Sequence, residues 1–132
     1  MSTNYINTFI TAAADGKVQA GIVPSKAGTV GALQISLLLE RPYVLTSDDL
    51  LLEVYMIRNG IPPEEREAAR DRLFAKPQAC LRASPLVKQY GWGLHHDGAG
   101  RVAAYGIESD AYRDLSRRPD LAVVAGMRNS RG

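Results

Sequence analysis

The sequence predicts an α+β fold, a mostly antiparallel sheet packed by two to four helices. Residues 47–59 form a capped apolar segment typical of a buried helix, whereas residues 89–107 have the composition of a β-hairpin around a glycine-rich turn. Apolar residues make up 45% and charged residues 23% of the 132 positions, which is typical of a globular protein. The length fits one domain over residues 1–132.

The N-terminal third is expected to contain one or two strands and a helix. Residues 5–13 are rich in β-branched and aromatic side chains and predict a strand. An Asp-Gly pair then indicates a turn, after which residues 18–23 are compatible with a second strand. Thr29 fits an N-cap, and the helix it begins is expected to end near Glu40, because the residue before Pro42 is disfavoured in the α region.

The stretch TSDDLLLEVYMIRNG carries the clearest helix signals. Ser47 is expected to cap it, two aspartates follow in the first turn, where the helix dipole favours negative charge, and Gly60 suits the left-handed position after the helix. Leu50, Val54 and Ile57 form one apolar stripe, so a deeply buried helix is predicted. The same composition is compatible with a buried strand.

A second, mostly charged helix is predicted to start at Pro62-Pro63, to lie on the surface and to end before Pro77. The hairpin follows, with strands at residues 89–96 and 101–107 joined by Asp-Gly-Ala-Gly. A short helix is expected after Ser109, and residues 121–127 fit either a strand or a helix.

The N-terminal pattern, the cysteine count and the net charge narrow the classes of function that fit this sequence. The N-terminus lacks the pattern of a signal peptide, and no apolar run is long enough for a membrane span. One cysteine excludes an internal disulfide framework, and a cytoplasmic location is expected. The net charge is +2, and the arginine-rich stretch at residues 113–132 lacks interleaved aromatics, so nucleic acid is not expected as a partner.

The stretch from Cys80 to Gly106 holds the only cysteine, the only tryptophan and both histidines. Cys80 is a candidate reactive thiol, although a buried small apolar role is the commoner one. His95 and His96 are neighbours on a predicted strand and therefore point to opposite faces, so they cannot both bind one metal ion. No metal site and no cofactor is predicted. One histidine is expected to be exposed at the hairpin end and the other hydrogen-bonded inside.

Arg82 beside Ser84 is compatible with an anion site, because a guanidinium fork and a hydroxyl are common partners of carboxylate or phosphate. A structural ion pair of Arg82 with Glu53 or Glu108 explains the residue equally well. The candidate binding residues share one stretch of chain and offer charge, hydroxyl or aromatic groups: Arg82, Ser84, Tyr90, Trp92 and His95.

Several stretches resemble a family of small uncharacterised bacterial proteins, a domain of unknown function. They are TSDD, EVYMIRNGIP, QACLRASPLVKQYGWGLH and YGIES, together with NYINTFI and LQISLLLERPY. The resemblance covers nearly the whole chain and implies a bacterial source, with no assigned activity, cofactor or catalytic residue. It also favours His95 over His96 as a site residue.

Two functions are therefore expected. The first is a non-catalytic binding protein, compatible with a homodimer, that takes a small anion or a peptide near Arg82 and Trp92. The second is a small enzyme that uses His95 as a general base or Cys80 as a nucleophile.

Overall fold

A four-stranded sheet organises the computed structural model, which describes residues 2–130; residues 131 and 132, the end of the arginine-rich stretch, lie outside it. The strands are β1 (Thr8–Thr11), β2 (Trp92–His96), β3 (Val102–Gly106) and β4 (Ala122–Ala125). Their order is β3-β2-β1-β4, with β2 antiparallel to both neighbours and β4 parallel to β1. The predicted α+β class with a mostly antiparallel sheet is confirmed.

Five α-helices lie within the described residues. They are α1 (Val30–Glu40), α2 (Ser47–Arg58), α3 (Arg66–Phe74), α4 (Pro85–Lys88) and α5 (Asp110–Ser116). None of them is long and apolar enough to cross a bilayer. Thr29 caps α1 through the N–H of Ala32, as predicted. The cap of α2 is Thr46 and not Ser47: Thr46 and Asp49 form a reciprocal capping box, while Ser47 is buried.

The two faces of the sheet are covered differently. One face carries Ile10, Leu94 and Val102, which join a core with residues of α1, α2 and α4. The other face carries Phe9 and Gly93, against which Tyr112 of α5 packs; the Phe9 and Tyr112 rings meet edge to face at 5.1 Å. The helices therefore cover one face broadly, and one short helix covers part of the other.

Three local expectations differ from the structure. No strand forms at residues 18–23, because this segment lies across the start of β2 and uses its backbone there: the N–H of Ile22 donates to the carbonyl of Tyr90. Ile57 is 53% exposed, since α3 packs on the side of α2 that carries Leu52 and Met56. The charged helix begins as a 3-10 turn at Pro63–Glu65 before α3. Residues 121–127, left open by the sequence, contain β4.

Candidate functional site

Arg82 lies in a 3-10 turn (Leu81–Ala83) next to the outer edge of β4. Its Nε donates to the carbonyl of Ala125 at 2.8 Å. Neither Glu53 nor Glu108 forms an ion pair with it. The terminal nitrogens of Arg82 thus have no partner among the described residues. The residue lies beside the edge of β4.

Trp92 lies at the start of β2, two strands away from β4 in the sheet. Its indole N–H donates to the carbonyl of Ile22 at 2.9 Å, and its ring covers Gly21, where an added Cβ would come within 2.9 Å of the ring. Tyr90 lies two residues before Trp92 and contacts the same segment, since its carbonyl accepts from the N–H of Ile22. No described cavity is lined by both Arg82 and Trp92, so the structure does not bring these two candidates together.

His95 lies on the other face of the sheet, as the alternation along β2 predicts. Its Nδ1 is 2.8 Å from the hydroxyl of Tyr43, and that hydroxyl is 2.7 Å from the hydroxyl of Tyr105. Burial, and then the charge of Arg118, lower the pKa of His95 below its usual value. A hydrogen-bonded chain of three titratable side chains therefore ends at this histidine.

Tyr43 is held in an unusual backbone conformation. Its φ is 59°, in the left-handed region that a bulky side chain rarely adopts. Burial raises the pKa of its hydroxyl, as does the hydrogen bond with Tyr105. The strain is offset by the bonds that its hydroxyl makes to two other residues.

His96 and Cys80 meet around Tyr5 on the helix-covered side of the sheet. The rings of His96 and Tyr5 are 5.3 Å apart, and the hydroxyl of Tyr5 donates to Sγ of Cys80 at 3.1 Å. Both histidines are buried, so the expected exposed histidine at the hairpin end is wrong. Burial lowers the pKa of His96 to about 4, and burial with the sulfur contact raises the pKa of Tyr5 to about 12.

A groove runs between α1, α2 and residues 78–85, and we call it the α1–α2 groove. It consists of two adjoining cavities with volumes of about 450 Å³ and 190 Å³. The residues that line both cavities are Val30, Gln34, Leu51 and Gln78. Cys80 and Ser84 line the smaller cavity, and Arg58 lines the larger one. Two of the predicted site residues thus belong to this groove.

Ser84 fixes the orientation of a buried amide at the groove. Its Oγ accepts from the N–H of Leu86 at 3.1 Å, which caps α4, and donates to Oε1 of Gln34 at 2.6 Å. Gln34 as a whole residue is 2% exposed. In this arrangement the oxygen of the Gln34 amide accepts from Ser84, so its NH₂ faces away from Ser84.

The NH₂ of Gln34 has no partner among the described residues, and it opens on the groove. The one buried side-chain nitrogen or oxygen without a partner in the described part of the chain is Nε2 of His96, so the Gln34 nitrogen is not sealed in the core. Gln78 is the counterpart: its Nε2 donates to the carbonyls of Leu73 and Lys76, which leaves its Oε1 as an acceptor. The groove therefore offers one donor and one acceptor.

Fold and groove define a small α+β protein with a cleft that is part apolar and part amide-lined. Residues 1–132 match a family of unknown function, DUF6157, and the chain belongs to that family. The family resemblance found in the sequence is thereby confirmed. A comparison with curated proteins and one with solved structures each found no significant match.

Sequence reasoning missed Gln34, Arg58 and Gln78 as site residues. A signal existed for Gln34, because Val30, Gln34 and Leu38 follow a four-residue spacing that puts a polar side chain on the apolar stripe of α1. Nothing local distinguishes Arg58 or Gln78 from ordinary surface residues. Only the packing of α1 against α2 brings them to one groove.

Proposed function

We propose that the protein binds a short peptide segment bearing a carboxylate, and that the binding site is the α1–α2 groove. The amide pair carries the proposal. The NH₂ of Gln34 is placed to donate to a ligand carbonyl, and Oε1 of Gln78 to accept from a ligand N–H. A peptide unit offers one carbonyl and one N–H, so the two side chains complement it.

The apolar walls support a ligand with an apolar side chain. Val30, Leu51 and Val54 line the larger cavity, whose volume of about 450 Å³ falls within the range of small-ligand sites. Burial of such a side chain supplies affinity, while the amides fix its direction. The groove therefore suits a residue with an aliphatic or small aromatic side chain.

Charge supports the carboxylate. Arg58 lines the same cavity at the last turn of α2 and makes no ion pair within residues 2–130. A guanidinium prefers carboxylate partners because its parallel N–H groups match the two oxygens. An acidic ligand residue or a free C-terminus would satisfy it.

The class of ligand is the one expected from the sequence, and its place is the groove beside Ser84 and Cys80. Arg82, Tyr90, Trp92 and His95 are assigned no contact with the peptide. Ser84 acts indirectly, because it orients the amide of Gln34.

The test is a titration of ¹⁵N-labelled protein with an acetylated and amidated peptide, Ala-Leu-Ala-Glu, and with its Ala-Leu-Ala-Gln counterpart. We expect the acidic peptide to shift amide signals of α1, α2 and residues 78–85, and Arg58→Gln to weaken its binding about tenfold, which is about 1.4 kcal/mol. Arg72→Gln is the matched control, since Arg72 is an exposed arginine of α3 outside the groove.

Gln34→Leu should weaken both peptides, because it removes the donor and keeps the volume. Shifts confined to other surfaces, or equal affinity of the wild type and Arg58→Gln for the acidic peptide, would contradict the proposed site. A peptide that binds only as a helix would contradict the amide pairing, since a helical backbone uses its own N–H and carbonyl groups.

A second candidate is an enzyme that uses His95 as a general base. The observation that favours it is the bond from Tyr43, a residue held at φ 59°, to Nδ1 of His95, since backbone strain of this kind clusters at functional sites. In the tautomer with a proton on Nδ1, the Nε2 lone pair is free to accept a proton. Hydrolysis of p-nitrophenyl acetate tests it: His95→Gln should reduce the rate, and an unchanged rate would count against it.

Cys80 as a nucleophile is tested separately with iodoacetamide. Rapid labelling at neutral pH, followed by loss of esterase activity, would support this version. Slow labelling limited by burial would contradict the hypothesis that Cys80 is a nucleophile.

We also propose a cytoplasmic location. The cysteine count supports it, because a chain with one cysteine builds no internal disulfide, the bond that is typical of small secreted domains. Cell fractionation with an antibody tests it, and recovery of the protein in a membrane or secreted fraction would contradict it.

A further inference from the structure

The smaller cavity of the α1–α2 groove has a different wall from the larger one. Arg58 lines only the larger cavity, and no charged side chain of residues 2–130 lines the smaller one. The residues that line the smaller cavity and not the larger one are Ala79, Cys80, Leu81, Ala83, Ser84 and Pro85. A charged group placed there would lose its hydration without gaining a counter-charge. The wall therefore favours an uncharged part of a ligand.

The hydroxyl and the thiol at this wall are held by bonds within the chain. The Ser84 hydroxyl donates to Oε1 of Gln34 at 2.6 Å, and Sγ of Cys80 accepts from the hydroxyl of Tyr5 at 3.1 Å. A thiol is only a weak donor. The strong hydrogen-bonding groups that remain for a ligand are therefore those of the amide pair, Gln34 and Gln78, which line both cavities.

The volume of the smaller cavity limits the size of what enters it. A cavity of about 150 Å³ is large enough to bind one benzene molecule. The smaller cavity, at about 190 Å³, has to hold ligand backbone beside the amide pair as well as a side chain. It therefore has room for a residue such as glycine, alanine or serine, and it has no room for an aromatic residue.

We infer that the smaller cavity is the subsite for one small, uncharged residue of the bound peptide, next to the apolar residue and on the side away from the carboxylate. This inference rests on the proposed function, because it takes the groove as the peptide site. The order follows from the walls: Arg58 lines only the larger cavity, the amide pair lines both, and Cys80 lines only the smaller one. In Ala-Leu-Ala-Glu, the first alanine is the residue that enters the smaller cavity.

The size limit is tested with two peptides of the same composition. Phe-Leu-Ala-Glu and Ala-Leu-Phe-Glu, both acetylated and amidated, place the ring either in the smaller cavity or beyond the apolar residue. We expect ¹⁵N titrations to show that Phe-Leu-Ala-Glu binds about tenfold more weakly than Ala-Leu-Ala-Glu. Ala-Leu-Phe-Glu is the matched control, and its affinity should stay within about threefold of that of Ala-Leu-Ala-Glu.

The charge limit is tested at the same ligand position with a pair of nearly equal size. Asn-Leu-Ala-Glu and Asp-Leu-Ala-Glu, with the same capped ends, differ in one charge. We expect the aspartate peptide to bind about tenfold more weakly, because its added carboxylate meets no cation in the smaller cavity.

The position of the subsite is tested with a thiol on the ligand. Cys-Leu-Ala-Glu and Ala-Leu-Cys-Glu are each supplied as a mixed disulfide with mercaptopyridine. The Cys80 thiolate attacks the peptide sulfur, an S–S bond forms between Cys80 and the peptide, and the mercaptopyridine thiolate leaves, so no further oxidant is consumed. The absorbance of the released thiolate gives the rate. We expect Cys-Leu-Ala-Glu to react about tenfold faster than Ala-Leu-Cys-Glu, and Cys80→Ser to react with neither.

The outcomes separate this inference from the proposed function. Equal affinities of Phe-Leu-Ala-Glu and Ala-Leu-Ala-Glu, or equal reaction rates of the two thiol peptides, would overturn the subsite. The proposed function would survive that result as long as Ala-Leu-Ala-Glu still shifts amide signals of the groove and Arg58→Gln weakens it. Failure of Ala-Leu-Ala-Glu to bind at all would overturn both.

Discussion

The hydroxyl of Ser84 lies 2.6 Å from Oε1 of Gln34, and both side chains are buried. One serine thus caps α4 through the N–H of Leu86 and orients an amide of α1. Local helix chemistry and the geometry of the groove depend on the same oxygen atom.

Ser84→Ala is expected to destabilise the protein by about 2–3 kcal/mol, because it removes the cap of α4 and leaves the Gln34 carbonyl oxygen buried without a donor. Urea unfolding at neutral pH measures it. Gln34→Leu in the same chain should recover part of the loss, since it removes the orphaned acceptor. Two single losses that simply add in the double variant would contradict the coupling.

His96 makes stability depend on pH. Its pKa is lowered by burial from 6.5 to about 4 in the folded state, so the unfolded state binds more protons between these values. Stability is full above pH 6.5 and falls as the pH drops towards 4, by about 3 kcal/mol in total. His95, whose pKa is also lowered, adds a loss of the same sign.

Urea unfolding at pH 7 and pH 5 measures this dependence. His96→Leu should flatten the curve in that window, while the carboxylates with lowered pKa, such as Asp49, lose their contribution only at lower pH. Equal stability of the wild type at the two pH values would refute the assignment.

Tyr43→Phe should cost more stability than Tyr105→Phe. The hydroxyl of Tyr43 lies between Nδ1 of His95 and the hydroxyl of Tyr105, so its removal leaves two partners unsatisfied. We expect a loss of about 1–2 kcal/mol for Tyr43→Phe and about half of that for Tyr105→Phe. Thermal unfolding of both variants decides, and the reverse ranking would show that the chain does not pass through Tyr43.

Gly93→Ala is expected to destabilise the protein by about 2–3 kcal/mol. An added Cβ would come within 2.5 Å of the Phe9 ring and 2.6 Å of the Tyr112 ring, and the packed sheet face leaves little room to yield. Gly98→Ala in the hairpin turn is the control, because its nearest contact is an Asn7 side-chain oxygen at 3.4 Å, and its effect should stay within about 0.5 kcal/mol. Similar losses for both variants would contradict the packing argument.

Local signals explain what the sequence predicts well. The cap at Thr29, the hairpin turn after His96 and the opposite directions of His95 and His96 depend only on residues that are close in the chain. Where two neighbouring residues carry the same signal, the predicted helix start is off by one residue. Thr46 and Ser47 are both good caps, and Thr46 forms the box because Asp49 lies three residues after it.

The candidate site depends on contacts between distant residues, which no local pattern encodes. Gln34 and Ser84 meet only because α1 packs against α4, and Arg58 joins them from the end of α2. Arg82 and Trp92 are close in the chain, yet one lies at the edge of β4 and the other on β2. Proximity in the chain therefore does not bring these two side chains to one cavity.

The position of β1 in the sheet has a consequence for folding. Its two neighbours follow far behind it in the chain, since Thr8 pairs with His96 and with Ala122. The closure of such long loops slows the pairing of the strand. The apolar residues of β1 therefore stay open to contacts with other unfolded chains until β2 and β4 reach them.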